Sequence, residues 1–69
     1  MKDPEIPKRI TEITGYKARW ASPIFEYDGC ERTIEIFRVP LELQIGVLKE
    51  LRDLRQAAGP LVFVFREAP

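Results

Sequence analysis

The sequence predicts an α+β domain: a small sheet packed on one long helix, in the order short element, strand, strand, helix, strand. Three observations carry that expectation. Aromatic and β-branched residues crowd both sides of Asp28-Gly29, a dipeptide favoured in hairpin turns. Apolar residues recur at helical spacing between Leu43 and Ala58. The run Leu61-Val62-Phe63-Val64-Phe65 is apolar throughout and too short for a helix, the pattern of a strand covered on both faces.

The first eight residues contain Pro4 and Pro7 and charges of alternating sign, and are expected to form a flexible arm. The stretch from Pro7 to Gly15 supports two readings. Proline at a first helical position and glycine just past the end suit a short helix, with Ile6, Ile10 and Ile13 on one face. The β-branched Ile and Thr residues suit a short strand. The balance tips to one or two helical turns.

Residues 16–39 read as a β-hairpin. With a two- or four-residue loop at Asp28-Gly29, Phe25 and Tyr27 share a face with Ile34 and Ile36. Trp20, Ile24, Phe37 and Val39 then occupy the other face. Pro23 cannot donate to a ladder and marks an edge position or a bulge.

Pro40 stops the ladder, and one helix is expected over residues 41–58. Its stripe is Leu43, Val47, Leu51, Leu54 and Ala58, widened by Leu41, Ile45 and Leu48. Glu42 suits the positive end of the helix dipole, Arg52 and Arg55 the negative end. Gly46 costs up to about 1 kcal/mol relative to alanine, so it is read as a close approach of another backbone. Gly59-Pro60 ends the helix. A right-handed crossover then leads into the last strand.

Composition narrows the function classes. Sixty-nine residues make a single domain, 1–69, that buries only about 60% of its unfolded surface. One cysteine and no histidine exclude Cys/His zinc sites and Ser–His or Cys–His nucleophiles. Eleven acidic residues balance eleven basic ones, which disfavours nucleic-acid binding by bulk electrostatics. The polar N-terminus carries no signal-like apolar segment, and no apolar run approaches a bilayer span. The expected setting is therefore the cytoplasm, without a membrane, cofactor or metal, and the chain is not expected to be an enzyme.

Some residues invite chemistry. Cys30 sits at the expected turn, but its charged neighbours Asp28, Glu31 and Arg32 are mostly of the wrong sign to activate a thiol, so a passive cysteine is the better reading. Glu26, Asp28, Glu31 and Glu35 gather on the hairpin without metal-ligand spacing, and read as a solvated acidic end suited to a basic protein partner. Tyr16, Trp20, Phe37, Phe63 and Phe65 read as core or self-association surface. Lys17 and Arg19 interleaved with Trp20 offer the alternative of a nucleic-acid platform.

Three motifs, Val39-Pro40-Leu41, Leu48-Lys49-Glu50-Leu51 and Val62-Phe63, follow a hairpin in order. In this respect residues 32–65 resemble part of the catalytic domain of the tyrosine recombinases (phage integrases). The resemblance implies a hairpin–helix scaffold and an origin in a phage or mobile element. It does not imply the chemistry. The hairpin tip, Glu26 to Arg32, lacks the family's lysine, and neither the His-x-x-Arg motif nor the nucleophilic tyrosine has a counterpart. The stretch from Thr33 to Leu43 also resembles the ribbon and first helix of ribbon-helix-helix repressors, but Gly59-Pro60 leads into a strand where their second helix would be.

The expected function is a non-enzymatic interaction module acting as a homodimer. One helix covers one face of the sheet, and Trp20, Ile24, Phe37 and Val39 on the other face would meet a second copy. The alternative is a nucleic-acid-binding accessory protein contacting its ligand through Lys17, Arg19 and Trp20.

Overall fold

A computed structural model of the chain describes residues 2–21 and 32–68. Among the described residues it is an α+β fold of three helices and a three-stranded mixed sheet. The elements are α1 (Glu5–Thr14), β1 (Ala18–Trp20), β2 (Thr33–Phe37), a 3-10 turn (Leu41–Leu43), α2 (Gln44–Glu50), α3 (Arg52–Ala58) and β3 (Val62–Arg66). The strand order is β1-β2-β3, with β2 antiparallel to β1 and parallel to β3.

Residues 5–8, expected as part of a flexible arm, instead form the first turn of α1. The Asp3 carboxylate accepts the Glu5 amide at 2.9 Å, occupying a donor that a helix start leaves without an intrahelical partner. Gly15, at φ 81°, ends the helix by donating its amide to the Thr11 carbonyl at 2.8 Å, a left-handed cap that glycine adopts without penalty. Ile10 is fully buried, with Ile6 and Ile13 packed beside it. The segment ahead of α1 is also tied to β1: the Trp20 indole donates to the Asp3 carbonyl at 2.9 Å, and the Lys2 ammonium to the Ala21 carbonyl at 3.1 Å.

The hairpin register differs from the expected one. Trp20 pairs with Ile34, Arg19 with Glu35 and Ala18 with Ile36. A loop centred on Asp28-Gly29 would have paired Trp20 with Phe37, three residues further along. An odd offset turns every side chain of a strand to the opposite face. Trp20 therefore lies on the Ile34 face, not with Phe37. Asp28-Gly29 itself, with Pro23, Phe25 and Tyr27, lies outside the described residues.

All five residues of β2 are buried. Ile34 and Ile36 face the helices and form the core with Ile10, Val39, Val47, Leu51 and Leu61. Thr33, Glu35 and Phe37 occupy the other face. The expected single helix is interrupted at Leu51, whose backbone (φ −91°, ψ 1°) leaves α-geometry. Its amide is shared between the Val47 and Leu48 carbonyls at 3.1 and 3.2 Å. Leu51 is nonetheless fully buried, and Gly59 ends α3 as expected.

Arg32 fastens the far end of this layer. Its guanidinium donates to the Pro60 carbonyl in the connection to β3 at 2.8 Å and to the Ala58 carbonyl at 2.9 Å, the latter an acceptor freed at the end of α3. It also lies 5.6 Å from the Trp20 ring, a cation–π contact.

Candidate interaction surface

Burial around the 3-10 turn and α2 divides the apolar residues into two sets. Val47 and Leu51 point into the core, 3% and 0% exposed. Leu41, Ile45 and Leu48 were expected to widen that buried stripe; instead they are 80%, 69% and 40% exposed. At about 100° per residue, Leu48 lies roughly a quarter-turn from the core direction of α2 and Ile45 further round, while Leu41 precedes them in the 3-10 turn. Apolar positions outnumber those the sheet can cover. Leu43, placed in the core stripe by spacing alone, is also half-exposed, because it belongs to the 3-10 turn rather than to α2.

Charge lines one flank of this stripe. Glu42, in the 3-10 turn, and Lys49, near the end of α2, are seven residues apart with Ile45 between them, a spacing of about two helical turns that repeats one flank. Arg52, four residues after Leu48, extends the stripe at its C-terminal end. Among the described residues, none of these three charges has an ion-pair partner within the chain. Glu50 points away from the stripe.

The opposite side of the sheet mixes polar side chains with Phe37, Val62 and Val64, of which Val62 is 42% exposed, and a buried carboxylate lies at its centre. The Glu35 carboxylate, 4% exposed, accepts from Arg19 Nε at 2.9 Å and from Arg66 Nε at 3.1 Å. One guanidinium comes from each neighbouring strand, so the carboxylate bridges the sheet across β2. Burial pushes the Glu35 pKa up, but hydrogen bonds from and attraction to the two arginines outweigh it and hold the carboxyl below its ordinary value. The Arg19 guanidinium also lies 5.1 Å from the Phe37 ring.

The residues expected to form the dimer face are thus separated. Trp20 packs against the helix-side core, and Val39 is part of it, 7% exposed. Phe37 is on the other face, 3% exposed, and Ile24 lies outside the described residues. The nucleic-acid set is separated too, since Lys17 and Arg19 flank Ala18 on one side of β1 and Trp20 lies on the other. Arg19 is committed to Glu35. Of the hairpin carboxylates, Glu35 is buried rather than solvated, while Glu26, Asp28 and Glu31, with Cys30, lie outside the described residues. Sequence reasoning missed Arg32 as a helix-end clamp, whose carbonyl partners are 26 and 28 residues away and leave no local signal.

A groove of about 640 Å³ opens between the start of the helical segment and the end of β3, lined by Arg38, Pro40, Leu41, Gln44, Phe65 and Arg66 among others. Arg38 holds φ 62°, a left-handed conformation uncommon for a non-glycine residue. Its amide donates to the Arg66 carbonyl at 2.8 Å, which fixes the turn leaving β2. Leu41 belongs to both this groove and the exposed stripe, so the two form one surface.

Among the described residues, no three Cys, Asp or Glu side chains gather as metal ligands. No helix there is long and apolar enough to cross a membrane. Comparison of the chain with protein-family models, with curated proteins and with solved structures returns no match.

Proposed function

We propose that this chain is a non-enzymatic protein-interaction module of the cytoplasm that works by self-association, and that its working surface is the helical stripe rather than the sheet. The carrying observation is the exposure of Leu41, Ile45 and Leu48 side by side on a domain of 69 residues. Exposed apolar residues scattered singly are ordinary, whereas a contiguous set marks a contact surface. Zero formal net charge leaves little long-range repulsion between copies. The nucleic-acid alternative loses its platform, because Lys17, Arg19 and Trp20 do not share a face. A phage or mobile-element origin remains a proposal resting on the recombinase resemblance.

Light scattering coupled to size exclusion tests the reading. The expected mass at micromolar concentration and above is twice that of the 8.0 kDa chain. A chain that elutes as a monomer at several hundred micromolar does not self-associate, and the reading falls.

A further inference from the structure

Resting on that reading, we infer that two copies meet helix to helix in an antiparallel arrangement about a two-fold axis, joined by the Leu41–Ile45–Leu48 stripe and by reciprocal Glu42–Lys49 ion pairs. The spacing of the stripe, four residues and then three, is that of a coiled-coil seam. Two turns of such a seam are too short to hold helices together alone, but here each helix is already fixed to a folded domain by Val47 and Leu51. The seam therefore does not have to offset the entropy of helix formation.

The charges choose the occupant and its orientation. Along the flank of the stripe, the acid Glu42 stands at the N-terminal end and the base Lys49 at the C-terminal end, with Arg52 beyond. In a parallel two-fold pair the charged flanks lie on opposite sides of the seam, so Glu42 and Lys49 of one copy would not face those of the other. Reversal sets the two charged flanks side by side and brings each Glu42 opposite the partner copy's lysine, and the two-fold axis repeats the contact. It also opposes the two helix dipoles favourably. A surface complementary to its own reverse is what an isologous dimer requires. None of the three charges is used within the described chain, and no intramolecular contact explains their order. A Cβ built at Gly46 meets nothing within 4 Å, so the close approach expected at this position is not made within the described chain.

The test is sedimentation equilibrium on the full chain and three variants, with circular dichroism as a control for folding. Ile45→Glu alters a side chain that is mostly exposed; it should leave the spectrum unchanged and weaken the dimer by at least about tenfold. Lys49→Glu opposes like charges and should weaken it by about fivefold at low salt. Combining Glu42→Lys with Lys49→Glu reverses both signs and should restore the wild-type constant. A wild-type monomer overturns the self-association reading itself. A wild-type dimer that tolerates Ile45→Glu, or that the charge reversal fails to restore, overturns the helix seam while leaving self-association standing.

Discussion

Glu35 makes the sheet sensitive to acid. Among the described residues it is the only buried carboxylate, and its two guanidinium partners sit on strands either side of it. Its folded pKa lies below the unfolded value, which is about 4.3 for glutamate. The ion pairs therefore contribute fully above that value and are lost as pH falls through the folded pKa. Acid unfolding below about pH 4 should accordingly be blunted in Glu35→Gln, while at neutral pH that variant should lose about 1–2 kcal/mol. That range lies between an exposed ion pair and a charged hydrogen bond in a dry site, because Arg19 and Arg66 retain contact with water. Urea melts of both proteins between pH 3 and 7 measure the difference, and parallel pH profiles would show that Glu35 is not the titrating group. Leu51→Ala belongs to the same scale. It empties a fully buried position where the helix is interrupted, and should cost about 2–5 kcal/mol, seen as a large fall in melting temperature.

At the scale of elements, the pattern of the chain was legible where local spacing decides it. The short N-terminal element, two strands, a helical segment and a last strand appear in the expected order, the first as the helix to which the balance tipped. What was not legible depended on numbers that spacing does not carry. The hairpin register needs the true centre of the connection, and an offset of three residues sent Trp20 to the helix side. The helical stripe could not be divided into buried and exposed sets, because periodicity shows that residues share a face but not how much of it the sheet can cover. Leu41, Ile45 and Leu48 were therefore read as core when they form the outer surface. Gly46 was misread for a related reason. Its cost within a helix is local, but the explanation offered was a tertiary contact the described chain does not make. With open space around the position, Gly46→Ala should stabilise the isolated fold by up to about 1 kcal/mol. Thermal melts at low protein concentration, where the monomer dominates, would show this gain. A loss of stability would mean that the added methyl meets an unseen neighbour.

For the whole molecule, dimensions limit how many layers can pack. The described fold measures 28 × 26 × 17 Å, and the shortest extent leaves room for one sheet and one layer of helices. A two-layer domain has one interior, and this one is filled by Ile10, Ile34, Ile36, Val47, Leu51 and their neighbours. Among the described residues, the apolar side chains on the outer side of the helical layer stay outside that interior. Domains of this size gain little stability from a single core, so burying the stripe against another copy should add to folding as well as to association. Stability coupled to association depends on concentration. A hundredfold rise in protein concentration across the dimer's dissociation constant should raise the wild-type melting temperature by several degrees, since about 1 kcal/mol shifts a domain this small by about 4–8 °C. Ile45→Glu should melt at one temperature throughout that range. Differential scanning calorimetry on both proteins decides the matter: a wild-type melting temperature that ignores concentration while scattering reports a dimer would mean that the interface forms without contributing to the stability of the fold.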